Sequence, residues 1–225
     1  MEERKKNWTG VIMFLLFAVA AVVFYYTAKE KGVLQGTPST GSYAPTGLKT
    51  LQDGTYDKLT DTSEVYTLQY PRDFDTLSLD HARGGFLGTP RITISFPQDS
   101  FQTPKSNYGE AFLTVRIGID ADSIQNCYVS PAESASPIVA GPTVHGTEFK
   151  QTTATDVGAG NIYTSRIYRA LKNNRCYEIS LTVHTANIGN FDPGTVVEFD
   201  KEKAFSQLDT IFKSFTLTSK TGPVE

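Results

Sequence analysis

The chain has 225 residues, 39% hydrophobic and 20% charged, which suits one medium folded domain together with a tether. Its formal net charge is −3, although Arg4, Lys5 and Lys6 all precede an apolar run near the N-terminus. The remainder holds no basic surplus to track a phosphate backbone, so nucleic acid is not an expected partner.

From Asn7 to Ala28 no residue is charged. As a helix such a run spans roughly 30 Å, the thickness of a bilayer's hydrocarbon layer. Trp8 at one end and Tyr25 and Tyr26 at the other occupy the positions where amphipathic rings meet the headgroups. The expectation is a transmembrane helix over 8–28, attaching the chain to a membrane. Arg4, Lys5 and Lys6 flank its start, whereas Lys29 and Lys31 are offset by Glu30 beyond its end. That bias keeps 1–7 in the cytoplasm and sends the rest across the cytoplasmic membrane. A cleaved signal peptide fits less well, because the small residues Ala18–Ala21 lie inside the run, with Val22, Val23, Phe24, Tyr25 and Tyr26 after them. No lipid-accepting cysteine follows the segment. The sequon Asn7-Trp8-Thr9 sits at the cytoplasmic membrane edge and is discounted.

Residues 29–62 read as a flexible linker. Gly36-Thr-Pro-Ser-Thr-Gly-Ser42, Ala44-Pro-Thr-Gly47 and Asp53-Gly54 supply turn-formers throughout and little apolar surface. The globular domain is expected over 63–218, with a tail at 219–225.

Within 63–218 the pattern turns to period two. Tyr66, Leu68 and Tyr70 alternate with polar residues. So do Ile92, Ile94 and Phe96, then Ala111 through Ile119, then Tyr177, Ile179, Leu181 and Val183. One apolar face per strand predicts an antiparallel sheet covering a core on one side. Asn173-Asn174 suits a tight hairpin, since Asn tolerates the left-handed conformation, and Gly158-Ala-Gly160 reads as a turn. After Asp200, a natural N-cap, Phe205, Leu208, Ile211, Phe212 and Phe215 recur at helical spacing. That stripe should cross the sheet face carrying Ile179 and Leu181. A shorter helix is expected within Asp122–Tyr128. The fold class is therefore α+β, a twisted and mainly antiparallel sheet with helix cover, preceded by one transmembrane helix.

Cys127 and Cys176 are the only cysteines. In an extracytoplasmic domain two cysteines predict a disulfide, here closing a loop of about fifty residues worth roughly 4 kcal/mol. Cys176 is out of phase with Tyr177, Ile179 and Leu181, so the bridge should hold the Cys127 segment against the sheet face away from the helix. A redox or metal pair is the weaker reading, because there is no Cys-x-x-Cys and no His close to either cysteine in sequence.

The sequence carries no recognisable catalytic or cofactor motif. Asp120-Ala-Asp122-Ser123 begins like a calcium loop, but Gln125 and Pro131 stand where Gly and Glu are needed, so a helix N-cap is expected. Gly158-Ala-Gly160 lacks the third glycine of a dinucleotide site. His81, His145 and His184 have no metal or triad spacing. His184 shares a strand face with Glu178, Ser180 and Thr182, which reads as a solvated or hydrogen-bonded surface. Asp192, Glu198 and Asp200 could hold a cation, but more naturally shape the loop ahead of the helix. No catalytic, cofactor-binding or metal-ligating residue is therefore assigned, and no cofactor is expected.

Three stretches, Tyr66-Thr-Leu-Gln-Tyr-Pro-Arg-Asp-Phe74, Cys176-Tyr-Glu-Ile-Ser-Leu-Thr-Val183 and Phe205-Ser-Gln-Leu-Asp-Thr-Ile-Phe-Lys-Ser-Phe215, together resemble the PsbP-like fold family. That family includes relatives of a Ran-binding nuclear import factor. The resemblance covers Glu64 to Leu217 and implies an α/β/α sandwich. Phe74 stands where the family more often has Trp. It implies an accessory or interaction role, with no catalytic residues to carry over. The chain is also similar to anchored domains of bacterial membrane proteins. The expected function is a non-enzymatic domain displayed outside the cytoplasmic membrane, periplasmic or extracellular, and binding a protein or envelope partner. A small-ligand or sugar-binding module using a crevice near Phe86, Tyr108 and Gly84-Gly85 is the alternative. A hydrolase gathering His145 or His184 with carboxylates comes third.

Overall fold

The structure, a computed structural model, describes residues 48–53, 56–61, 66–77, 87–97, 100–101, 105–130 and 135–218. All lie within the unit Ser42–Glu225. The expected membrane helix at 8–28, its flank 1–7, the first part of the linker and the tail 219–225 fall outside the described residues. So do His81, Gly84, Gly85 and Phe86. No helix among the described residues is long and apolar enough to cross a membrane.

The strands are β1 (Leu48–Asp53), β2 (Tyr56–Asp61), β3 (Tyr66–Pro71), β4 (Asp75–Leu77), β5 (Thr89–Ser95) and β6 (Tyr108–Gly118). After helix α1 (Ala121–Gln125) come β7 (Val139–Val144), β8 (Thr147–Gly158), β9 (Asn161–Lys172) and β10 (Arg175–Ala186). Helix α2 (Lys201–Lys213) and the short β11 (Thr216–Leu217) close the domain. Seven strands form one antiparallel sheet in the order β4-β5-β6-β10-β9-β8-β7, and four form a second in the order β1-β2-β3-β11. The described part is thus mostly antiparallel sheet with few helices.

The centre of the large sheet is the β6–β10 pair, in which Ile117, Val115, Leu113 and Ala111 stand opposite Tyr177, Ile179, Leu181 and Val183. All eight are buried, as the alternation predicts. The expected strands form at all four places. The one at Ala111–Ile119 stops a residue early, leaving Ile119 60% exposed. Both hairpin turns are left-handed: Asn173 and Asn174 have φ of 52° and 55°, and Ala159 and Gly160 have 49° and 79°. Two residues at positive φ match the twist of the flanking strands.

Helix α2 covers the apolar face. The Asp200 carboxylate accepts from the Glu202 amide at 3.1 Å and caps the first turn. Phe205, Leu208, Ile211 and Phe212 are buried, each worth roughly 1.5–3 kcal/mol of transfer free energy. Phe215, expected as the last member of the stripe, lies beyond the helix end and bridges the sheets. Its ring stacks on Tyr66 of β3 at 5.3 Å and meets Tyr177 of β10 edge-on at 6.3 Å.

Two expectations are corrected. The first is the linker over 29–62: β1 and β2 pair antiparallel from Leu48↔Asp61 to Asp53↔Tyr56, and β2 continues onto β3. The hairpin escapes an apolar pattern because the inward positions of β2 are Asp57, Leu59 and Asp61, two of the three being carboxylates. Asp57 is 3.5 Å from the Arg72 guanidinium.

The second correction concerns the polar face of β10. Glu178, Ser180 and Thr182 are 0%, 2% and 5% exposed, so this row is interior and not solvated. Hydroxyls on this side of the sheet pair across strands: Ser165 with Thr182 at 2.9 Å, and Thr93 with Thr114 at 3.0 Å. Helix α1 packs on this side, opposite α2. A Cβ on Gly118 would lie 2.3 Å from the Ser123 Cβ, so only glycine admits the helix there. Of the two helical layers that an α/β/α sandwich implies, the described α1 layer is only five residues long.

Candidate functional site

The cysteines come together as read. Cys127 and Cys176 form a disulfide with a Cα–Cα distance of 5.5 Å, and both are 1% exposed. The bridge fastens the segment after α1 to the start of β10, on the face away from α2. Beneath it lies a buried charge cluster. Arg169 donates from Nε to Glu178 Oε2 at 2.8 Å, and its Nη2 lies 2.7 Å from the same oxygen. Arg116 approaches the other Glu178 oxygen at 3.9 Å. Burial pushes the Glu178 carboxyl above the usual carboxylate range, with Arg169 and Arg116 pulling the other way. Burial likewise lowers the Arg116 pKa, opposed by Glu178. Arg169 Nη1 donates to the Val129 carbonyl at 2.6 Å and the Cys127 carbonyl at 3.4 Å. Its charge is thus spent inside the fold, on Glu178 and on the bridged segment. The cluster fastens α1 and offers no surface to a ligand.

Other candidates resolve into structural roles. Asp120 accepts from the Ser123 amide at 2.8 Å and its hydroxyl at 2.7 Å, and these bonds hold its pKa below the usual value. It is an N-cap, as expected. Asp192 receives the Thr195 hydroxyl on its carbonyl at 2.7 Å, and Asp200 caps α2. Among the described residues no three His, Cys, Asp or Glu side chains gather where a metal could be held. His145 sits exposed in the β7–β8 turn at a φ of 46°. His184 stacks on Tyr163 with centroids 4.3 Å apart, faces Asn161 Oδ1 at 2.8 Å through Nε2, and lies 3.8 Å from Glu110. The two histidines stand on different elements. Of the residues expected to line a crevice, Gly84, Gly85 and Phe86 lie outside the described residues, which leaves the Tyr108 ring. That ring is 8% exposed and packs against Phe101 and Phe199, so it belongs to the core.

The described residues also form concavities. One, about 350 Å³, lies between β2–β3 and α2 and is lined by Tyr56, Gln69, Pro71, Gln207, Thr210, Ile211 and Ser214. Another, about 270 Å³, opens on the α2 side of β8 and β9 beside residues 136–139. Period two places Arg166 and Tyr168 side by side on β9, facing the helix. Glu202 and Asp209, two helical turns apart on α2, meet them. Arg166 donates to Glu202 at 2.5 and 2.7 Å and to Asp209 at 3.2 Å, with its guanidinium 4.2 Å from the Phe205 ring centroid. Burial works against the Arg166 charge, but Glu202 and Asp209 hold its pKa above the ordinary value. Tyr168 donates to Asp209 at 3.2 Å and stacks on Phe212 at 4.2 Å. Burial, followed by the Asp209 charge, pushes its phenol up to about 12, so it remains a donor throughout the physiological range. The remaining wall is Ser136, Val139, Gln151, Thr152 and Thr153. Sequence reasoning missed this cleft because β8 and β9 carry no apolar alternation. The i, i+2 pair Arg166 and Tyr168, matched to acids seven apart on a helix, is the signal that points to it.

The fold places the chain among α+β proteins built on an antiparallel sheet. No protein-family profile matches the sequence, and no curated protein matches it. Among solved structures it is similar to one from Bacteroides thetaiotaomicron, at 14% identity and a TM-score of 0.41, over 74% of this chain and 50% of that one. It therefore spans half the length of that protein. It is also similar to LpqN, involved in cell envelope biogenesis of Mycobacterium tuberculosis, at 11% identity and a TM-score of 0.39, over 76% of this chain and 90% of that one. A third is the Saccharomyces cerevisiae Ran-binding protein Mog1p, at 10% identity and a TM-score of 0.39, over 73% of this chain and 96% of that one.

Proposed function

We propose that the chain is a membrane-tethered binding domain, displayed outside the cytoplasm, that acts on a protein or envelope partner without catalysing a reaction. The observation that carries this reading is the buried Cys127–Cys176 bridge, which uses both cysteines of the chain. Such bridges persist in oxidising compartments, the side of the membrane to which Arg4, Lys5 and Lys6 would send the domain. The buried ionisable groups support the non-catalytic part. Arg169 and Glu178 hold each other and the segment after α1, and Arg166, Asp209 and Tyr168 hold one another. A general acid or base needs a proton-transfer partner in a substrate; Arg169 and Glu178 point into the fold instead, and the polar groups of Arg166, Asp209 and Tyr168 already bond to one another. The PsbP-like resemblance in Tyr66–Phe74 and Phe205–Phe215 implies an accessory role of the same kind.

Topology and turnover test the two halves separately. Alkaline phosphatase fused to the C-terminus is expected to be active, and green fluorescent protein fused there to be dark. The opposite pair of results overturns the display. Hydrolysis of ester, phosphoester or glycoside substrates by the purified full chain, abolished by one polar substitution, overturns the absence of catalysis.

A further inference from the structure

We propose that the cleft on β8 and β9 binds one ring of an uncharged saccharide, which makes the envelope partner of the reading above a neutral glycan. The assignment rests on that reading for its biological setting. Its chemistry rests on the cleft alone.

Size comes first. Ligand pockets are commonly about 300–1,000 Å³, so a cleft of about 270 Å³ suits a single pyranose ring better than a cofactor. Charge comes second. Among the described residues of the wall the one cation, Arg166, already faces both Glu202 and Asp209, so these three carry one negative charge in excess. A phosphate or carboxylate ligand would approach a guanidinium whose charge is more than cancelled. An ammonium would meet Arg166 first. The remaining polar wall, Ser136, Gln151, Thr152 and Thr153, is neutral and can both donate and accept. A ring bearing several hydroxyls satisfies such a wall without a charge of its own.

The groups are also held ready. Ser136 and Thr153 exchange two bonds, from the Ser136 amide to the Thr153 carbonyl at 2.8 Å and from the Thr153 amide to the Ser136 hydroxyl at 3.0 Å. Thr152 donates to the Ser136 carbonyl at 2.5 Å. Arg166 is fixed by its two acids and the Phe205 ring, and Tyr168 by Phe212 and Asp209. Little side-chain freedom remains to be lost when a ligand enters, which favours a weak polar ligand over none. Gln151 is the exception that points to an occupant. Its half-buried amide makes no hydrogen bond with the described residues, and it presents a donor and an acceptor in one plane, a match for adjacent ring hydroxyls. Gly141 leaves room beside it, since a Cβ there would lie 3.3 Å from the Gln151 Cβ and 2.9 Å from the Phe149 carbonyl. Val139, 52% exposed at the rim, gives an apolar surface for the C–H face of a sugar ring.

The test is an NMR titration of the ¹⁵N-labelled full chain in detergent micelles with maltotriose, cellotriose and triacetylchitotriose, and separately with inorganic phosphate. At least one trisaccharide is expected to shift the Gln151 side-chain amide and the Thr153 backbone amide saturably. Gln151→Ala and Thr153→Val, both at positions that can lose a polar group without opening the core, are each expected to weaken that binding at least fivefold. Their remaining spectra should be unchanged. No shift with any of the three sugars, binding within twofold of wild type in Gln151→Ala, or tighter binding of phosphate at the same amides would each overturn the assignment. The measurement uses purified protein, so its failure leaves the display reading standing. A cytoplasmic result from the fusion reporters leaves the cleft standing.

Discussion

Removing the disulfide by the double substitution Cys127→Ala/Cys176→Ala should lower stability by an amount that the loop length sets. The bridged residues are 49 apart. Releasing a loop of that length returns about 14 cal/mol/K of entropy to the unfolded chain, or about 4 kcal/mol at 25 °C. From Leu48 to Leu217 the domain has ~170 residues, and an unfolding entropy near 2.1 cal/mol/K per residue gives about 0.36 kcal/mol/K for the whole. The expected fall in Tm is therefore about 11 °C, read by circular dichroism with the wild type under the same non-reducing conditions. The effect should also be local. The amides of Asn126 and Val129, bonded within the α1 turn to Asp122 and Ile124 through Asn126 and to Asn126 through Val129, should exchange hydrogen faster in the variant. The β10 amides, held by β6 and β9 on both sides, should not. A Tm within about 2 °C of wild type would refute the reasoning, because the entropy of the released loop is what the expected fall rests on.

Two further outcomes follow from the same interior. Glu178→Gln leaves the buried Arg169 without its counter-charge and should cost about 3–5 kcal/mol by urea denaturation, whereas Arg169→Met/Glu178→Leu should recover much of it; equal losses in the two variants would refute the pairing. Ala159→Gly relieves a left-handed alanine in the β8–β9 turn and should stabilise the fold by about 1 kcal/mol, and a loss of stability on the same assay would refute that backbone reading.

What was legible in the sequence was the part of the fold where apolar and polar residues alternate on a single face. Tyr177 to Val183 and Ala111 to Ile117 could be assigned to one buried surface, and the out-of-phase Cys176 then fixed the side on which Cys127 must lie. The α2 stripe was legible for the same reason, because its period has only one solution. The hairpin of β1 and β2 was not, since Asp57 and Asp61 occupy inward positions and erase the apolar signal. In the sequence Asp53-Gly54 is the available clue, a turn-forming pair that suits a linker as well as a hairpin. The cleft on β8 and β9 was illegible for a related reason. Apart from Val139 its residues are Ser, Thr, Gln, Arg and Tyr, which read as a wet strand until a helix carrying Glu202 and Asp209 is laid across them.

These failures share a physical cause in β10 itself. A strand at the centre of a covered sheet has no solvent face, so polarity along it no longer reports exposure. Glu178 and Thr182 remain polar because each has a partner on a neighbouring strand, Arg169 for the carboxylate and Ser165 for the threonine, while α1 with its disulfide closes one end. An apolar residue in place of Glu178 alone would strand the Arg169 guanidinium. The hydrogen bonds from Arg169 to the Val129 and Cys127 carbonyls make the same cluster the seat for the bridged segment. The polar row is therefore what orients α1 on the sheet, and the disulfide locks an arrangement that Arg169 and Glu178 have already selected.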